Sequence, residues 1–218
     1  MVQVSASLLA ADFARLGGEV RRAEHAGVNS FHFDMMDGHY VPNFAFSPDQ
    51  LTALRPYTRL PFQIHLELAH PNEVLEKFRP LEAEFIIVCR DTVVDSGRTF
   101  ACIRAKGAKT GLSLNPDEPI EETYRLFPEL DLLMIMGVFP GFGGQSIHPN
   151  TITRIAQARQ MRRSMRLPLL IAVDGGINLE NASALVKAGA DMLIIGTALF
   201  RASQMRKFIT RLKEDVGV

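Results

Sequence analysis

Eight short, β-rich apolar runs alternate with amphipathic stretches along this chain, and that repetition leaves few architectures open. The runs begin near Gln3, Asn29, Leu60, Glu84, Lys109, Asp131, Leu167 and Asp191. Helical spacing appears between them, as in Phe13, Leu16, Val20 and Ala23, in Ile152, Ile155, Ala156 and Arg159, and in Ala182, Leu185 and Val186. Three helix-to-strand joints use one device, a glycine behind a helix-favouring residue: Ala26-Gly27, Lys106-Gly107 and Ala188-Gly189. Glycine there terminates the helix in a left-handed conformation and turns the chain back toward the sheet. The spacing of strand starts fits β/α units joined by right-handed crossovers. Runs such as Leu132-Leu133-Met134-Ile135-Met136 and Met192-Leu193-Ile194-Ile195 are apolar at every position, as strands buried on both faces require. Eight such units predict an α/β fold, a single (β/α)8 TIM barrel spanning residues 1–218. A doubly wound open sheet is the competing architecture. A chain of 218 residues is long enough to fill one such core.

Function is expected where polarity interrupts this pattern. Ser7, Asp34, His65, Asn115, Asp174 and Thr197 stand at or just after the carboxyl ends of their runs, the face on which barrel enzymes place their chemistry. In Phe31-His32-Phe33-Asp34-Met35-Met36-Asp37-Gly38, period-two alternation puts His32 and Asp34 on one face of a strand. His65 ends a second run and Asp174 a third. Two imidazoles and two carboxylates converging on a barrel mouth form a ligand set for one divalent cation with acid–base capacity. Mixed N/O ligands admit Zn2+, Fe2+, Mn2+ or Co2+, and spacing does not choose among them.

Glycine-rich segments close the last three runs: Pro140-Gly141-Phe142-Gly143-Gly144-Gln145, Asp174-Gly175-Gly176 and Gly196-Thr197. Glycine backbones let several N–H groups approach an anion, and a short helix opening at Thr197 would aim its positive end at the same place. A phosphate site built from the last loops is a recurring use of this fold.

Several function classes are disfavoured. Lys+Arg and Asp+Glu both number 24, which leaves no broad basic footprint for nucleic acid or an anionic membrane. Arg159, Arg162, Arg163 and Arg166 read as the wet face of a helix. No apolar run approaches bilayer-spanning length. Cys89 and Cys102 have no metal-like spacing and suggest a reducing, cytoplasmic setting. No Gly-x-Gly-x-x-Gly follows the first run, so no dinucleotide site is expected. No lysine ends a strand, which disfavours Schiff-base aldol chemistry.

The long motifs carry a resemblance. The run from His32 through Asp34, Met36, Asp37, Gly38, His39, Tyr40, Val41 and Pro42 to Asn43 is similar to a signature of the ribulose-phosphate 3-epimerase family. Pro140–Gln145 and Val173-Asp174-Gly175-Gly176-Ile177 resemble its other two signatures, in the same order. Ser5–Phe13 resembles its first strand, with Ala6 where proline is usual. The similarity runs from about Val4 to Phe200. It implies a ribulose-phosphate-binding type of barrel and a metal-dependent epimerase that inverts C3 of a ketose phosphate, by default D-ribulose 5-phosphate to D-xylulose 5-phosphate. The implied route is two-base proton transfer through a metal-stabilised cis-enediolate. In the resemblance His32, Asp34, His65 and Asp174 hold one divalent ion, Asp34 is the base and Asp174 the acid. Ser7 and His65 contact substrate, and Met36 and Met136 line the reacting centre. Gly141, Phe142, Gly143, Gly144, Gly175, Gly176, Gly196 and Thr197 hold the phosphate. The implied partners are a small-molecule sugar phosphate and further copies of the chain, as a dimer or hexamer. The segments from Gly38 to Pro48 and from Gly143 to His148 are candidates to close over substrate.

Some positions depart from that pattern. Glu67 stands where the family usually has methionine, Cys89 where histidine is usual, with Arg90 and Asp91 behind it. Gly137 and Phe139 replace a small hydroxyl residue and a polar residue. Glu67 shares the parity of His65 and is expected to point into the mouth, pairing with Arg90 or with a substrate hydroxyl. Glu67, Cys89, Arg90 and Phe139 are therefore candidates for specificity, and an epimerase for a hexulose or tetrulose phosphate, or a non-catalytic sugar-phosphate binder, is the alternative.

Overall fold

Several strands of this chain, such as Leu132–Met136 and Met192–Ile195, are apolar at odd and even positions alike, so they need cover on two sides, and a closed barrel ringed by helices supplies it. The computed structural model describes residues 2–77 and 82–217. Eight parallel strands form the barrel: β1 (Gln3–Ser7), β2 (Ser30–Asp37), β3 (Phe62–Glu67), β4 (Ala83–Cys89), β5 (Lys109–Leu114), β6 (Leu132–Met136), β7 (Leu170–Asp174) and β8 (Met192–Ile195). Each pairs with its neighbours in sequence, and β1 pairs with both β8 and β2, which closes the ring. This closure excludes the open sheet. A two-residue antiparallel extension, Phe44–Ala45, folds back on Met36 and Asp37 at the top of β2.

The helices are α1 (Leu16–Ala26), α2 (Pro48–Leu54), α3 (Pro71–Lys77), α4 (Ser96–Ala105), α5 (Thr151–Ser164), α6 (Ala182–Ala188), α7 (Thr197–Phe200) and α8 (Met205–Val216). Between β5 and β6 the crossover is a 3-10 stretch, Ile120–Glu129, that carries Pro128. Glycines at the three expected joints all take positive φ. Among the described residues no helix is long and apolar enough to cross a membrane.

The barrel interior is divided by chemistry. Phe85, Ile87, Leu132, Met134, Met136, Ala172, Met192 and Ile194, from β4 and β6–β8, pack into one buried apolar cluster. The facing sector is polar and equally buried: Ser5, Ser7, Ser30, His32, Asp34, Gln63, His65 and Glu67 from β1–β3, with Ser113 from β5. Gln63 bridges the sectors by donating to Ser30 Oγ and Met192 Sδ, both at 3.0 Å.

Three expectations need correction. The face of α5 that packs inward is Thr151, Arg154, Ile155 and Ala158, whereas Ile152 is 46% exposed. Arg154 turns inward because its guanidinium donates to the Glu118 carbonyl (3.0 Å), a contact that apolar spacing does not register. The Arg159–Arg166 cluster is only partly a wet face. Arg162 pairs with Asp191 and donates to the Leu169 carbonyl (2.8 Å), and Arg159 donates to the Lys187 carbonyl (3.0 Å). These arginines anchor α5 to the strand starts and to the end of α6. On the α1 stripe Val20 and Ala23 are buried, but Phe13 lies ahead of the helix in a 3-10 turn.

Gly111 faces the barrel interior from β5. A Cβ there would lie 2.6 Å from Ile87 Cγ1 and 3.2 Å from Ile87 Cα. Overpacking of this kind costs about 1–3 kcal/mol. Gly111→Ala should therefore lower the urea midpoint without changing the slope, and an unchanged midpoint would show that the interior can relax around a methyl group.

Candidate active site

Strand register assembles the site before any side-chain detail matters. The β2–β3 pairing sets Asp34 beside His65, β1–β2 sets Ser7 beside His32, and β6–β7 sets Met136 beside Asp174. His32 Nε2 lies 3.1 Å from Asp34 Oδ1 and 3.6 Å from Asp174 Oδ2, and so spans the two carboxylates. His65 Nδ1 lies 3.3 Å from the same Asp34 oxygen. Ser7 Oγ donates to Asp34 Oδ2 at 3.1 Å. All four ligand-type residues are buried, and one ligand atom from each falls within 4.8 Å of the others.

These groups tune one another. Burial opposes charge on Asp34, but His32 and His65 outweigh it and hold the carboxyl well below the usual range. Burial likewise opposes charge on His32, yet the Asp34 carboxylate beside it pushes the imidazole up to about 9. Asp174 moves the other way, to about 7, through burial and the nearby Asp34 charge, with His32 opposing. Burial lowers His65. One carboxyl is thus firmly ionised while its counterpart exchanges a proton near neutrality, the pattern of an acid–base pair.

The donor set fits a divalent cation. Atoms bound about 2.1 Å from one ion stand roughly 3–4 Å apart, which matches the 3.1, 3.3 and 3.6 Å separations. The second nitrogen of each imidazole is also engaged. His65 Nε2 meets Ser113 Oγ at 2.9 Å and His32 Nδ1 meets Gln63 Oε1 at 3.4 Å, contacts that orient rings toward an ion.

The cleft extends from this cluster to the glycine segments after β6, β7 and β8, where Gly141, Phe142, Gly143, Gly144, Gly175, Gly176, Gly196 and Thr197 all form its wall. Close approach makes glycine necessary at position 176. Its φ is +71°, and a Cβ would sit 2.7 Å from the Ile147 backbone nitrogen. Gln145 Nε2 donates to the carbonyls of Phe139 (2.8 Å) and Phe142 (2.7 Å), which fixes the β6 loop. Asn43 Nδ2 donates to the Gly141 carbonyl at 2.8 Å and so ties the β2 loop to it. Asp37 orders that β2 loop by accepting from the backbone N–H groups of His39, Tyr40 and Ala69.

Not every sequence candidate lies on the cleft. Met136 lines it, but Met36, though buried, does not. Asn115 donates to Tyr40 Oη and Asp91 at the rim. Cys89 is buried with Sγ 3.5 Å from His65 Nε2, and burial pushes its thiol up. Phe139 stands half exposed on the cleft wall. Arg90 does not pair with Glu67; it turns to the rim and engages Glu118 (3.4 Å) and Glu122. Glu67 is only 2% exposed, with Oε1 3.4 Å from His65 Nδ1 and Oε2 without a partner among the described residues. Burial, then the Asp34 and Asp174 charges, hold its carboxyl well above the usual range. Two contributors escape a reading of strand ends, Gln63 and Ser113. Gln63 sits near the start of β3 and Ser113 one residue before the end of β5, both facing inward, so a search for polar residues at every inward strand position would have found them.

Comparison with known proteins agrees with this geometry. The profile of the ribulose-phosphate 3-epimerase family matches residues 3–200. Ribulose-phosphate 3-epimerase of Bacillus subtilis is 36% identical over 214 residues, covering 98% of this chain and 99% of the relative. That of Escherichia coli K12 is 34% identical over 215 residues, covering 98% and 96%. Among solved structures, orotidine 5'-phosphate decarboxylase from Pyrococcus horikoshii superposes with a TM-score of 0.71 at 16% identity, covering 99% of this chain and all of that one (100%). The 3-hexulose-6-phosphate synthase from Salmonella typhimurium gives 0.70 at 13% identity, covering 99% and 98%. These two likenesses concern the fold alone.

Cation uptake should release protons, because His32, at about 9, is charged at neutral pH and Asp174, at about 7, is half protonated. Calorimetry of Zn2+ binding in buffers of different ionisation enthalpy should give about one to two protons released at pH 7, with affinity falling as pH drops. Zero release with pH-independent affinity would show that these four residues do not form the ion site.

Proposed function

This chain belongs to the ribulose-phosphate 3-epimerase family, and we propose that it inverts C3 of a ketose phosphate, by default interconverting D-ribulose 5-phosphate and D-xylulose 5-phosphate. The single observation that carries this reading is geometric: the carboxylates of Asp34 and Asp174, from strands on different sides of the barrel mouth, are buried and bridged by the one imidazole of His32.

The proton on C3 of a 2-ketose is acidic only because the neighbouring carbonyl accepts the electron pair. Asp34, from β2, takes that proton; the C3–H electrons form the C2–C3 double bond and the carbonyl oxygen gains the charge. Asp174, from β7, faces the same carbon from the other side and returns a proton to C3 as the carbonyl re-forms. The centre is inverted, and each carboxyl ends in the other's starting state, ready for the reverse reaction. A divalent ion held by His32, Asp34, His65 and Asp174 would supply Lewis-acid stabilisation of the charge that the carbonyl oxygen gains. His32 keeps the two carboxylates in register, while Ser7 holds the Asp34 oxygen remote from His32. Met136 and the apolar sector below it exclude water, which strengthens the electrostatics. The backbone of Gly143, Gly144, Gly175, Gly176 and Gly196 offers the phosphate its N–H groups.

The test is hydrogen exchange at the reacting carbon. Metal-loaded wild type in heavy water should place deuterium at C3 of D-ribulose 5-phosphate, with D-xylulose 5-phosphate as product. Asp34→Asn and Asp174→Asn, checked for metal content, should each lower the rate by about 10²–10⁴-fold. Tight sugar-phosphate binding without deuterium incorporation would make the protein a binder and end the enzymatic reading.

A further inference from the structure

The cleft has two chemically unlike ends. At one lie the glycine segments after β6, β7 and β8; across the barrel mouth β3 contributes one lining residue, Glu67, and Asp34 and Asp174 line the same cleft. Glu67 is buried, and its Oε2 has no hydrogen-bond partner among the described residues. A buried carboxyl oxygen left this way is costly, and such an atom on a cleft wall calls for a ligand group to satisfy it. The neighbouring polar groups are engaged elsewhere. Arg90 pairs with Glu118 and Glu122, Cys89 Sγ lies against the Leu66 carbonyl and His65, and Met36, the register neighbour of Glu67 on β2, offers no donor.

We propose that Glu67 is a specificity-determining residue whose free carboxyl oxygen hydrogen-bonds the C1 hydroxyl of the ketose phosphate. The assignment rests on the epimerase reading and follows from the order of atoms in the substrate. With the phosphate at the glycine end and C3 between the two aspartates, C2 and C1 extend away from the phosphate, toward β3. The C1 hydroxyl both donates and accepts, so it satisfies this oxygen whether Glu67 is ionised or protonated. Selection falls at the hydroxymethyl end and is independent of how many carbons separate C3 from the phosphate. A methyl group at C1 would leave Oε2 as unsatisfied as it is in the free protein, so a 1-deoxy ketose phosphate is the substrate analogue this wall rejects.

The experiment compares D-xylulose 5-phosphate with 1-deoxy-D-xylulose 5-phosphate on the metal-loaded full chain, by calorimetry and by kcat/KM. Wild type should bind the hydroxylated ligand roughly tenfold to hundredfold more tightly. Glu67→Met should bind both with nearly equal affinity, and Glu67→Gln, which keeps a hydrogen-bonding end of the same size, should retain part of the preference. Equal affinities in wild type, failure of either ligand to bind, or a preference that Glu67→Met leaves intact would overturn the assignment. Should Glu67→Met not fold, loss of the preference in Glu67→Gln supports the contact and its full retention together with an unchanged kcat/KM ratio rejects it. Deuterium wash-in at C3 is followed in parallel: its absence overturns the epimerase reading, while the affinity ratio still decides the role of Glu67.

Discussion

A single buried carboxylate, Asp34, ties the structure to its chemistry. Removing such a charge from water is expensive unless hydrogen bonds and counter-charges replace hydration. Here the replacements come from three adjacent strands: Ser7 on β1, His32 on β2 itself and His65 on β3. Each contact holds only if the β1–β2 and β2–β3 registers are those observed, because a slip of one residue would turn His32, Asp34 and His65 to the helix-facing side. The anion that would make the site costly also fixes the alignment of the strands that build it.

The same charge sets the states of its neighbours. It raises His32 and, with burial, Asp174, and adds to the effect of burial on Glu67. Asp174 sits on β7, separated from β2 by β8 and β1, so barrel closure is what brings the two aspartates to a shared imidazole. In an open sheet β1 would be able to end at an edge, and the β7–β8–β1–β2 arc across which His32 reaches would not be guaranteed. The split interior completes the arrangement. A dry sector from β4 and β6–β8 lies against the polar one, and low local polarity magnifies each electrostatic effect.

Much of this was legible in the sequence because period two and strand-end placement are properties of the chain itself. His32 and Asp34 share a face by parity, and His65 and Asp174 close runs whose ends must lie on one rim once a barrel is inferred. The glycine segments were legible for the same reason. What escaped depends on contacts distant along the chain. Arg154 packs inward on α5 because of a carbonyl at Glu118, and Arg162 is held by Asp191; apolar periodicity treats both as solvent-facing. Glu67 was expected inside from its parity, and it is there, but its suggested partner Arg90 was captured by Glu118 and Glu122 at the top of the 3-10 crossover. Parity says which way a side chain leaves the strand and is silent about which of several charges reaches it first.

The loss of Arg90 as a partner makes Glu67 informative. A carboxyl neutralised by a guanidinium would be a structural feature of the wall; one whose buried oxygen has no partner among the described residues is what the proposal assigns to a ligand hydroxyl. A barrel of this kind keeps its backbone across unrelated chemistries, so function resides in the few side chains that project from strand ends. On the proposed reading the Asp34–Asp174 pair and the glycine segments after β6, β7 and β8 would set the reaction, at C3 of a phosphorylated ketose. The β3 strand end, where Glu67 lies buried on the cleft wall, is where the proposal places selection among ketoses. On that reading catalysis and selection fall on different strands, so that the second could change through residue 67 while the first stays fixed by Asp34.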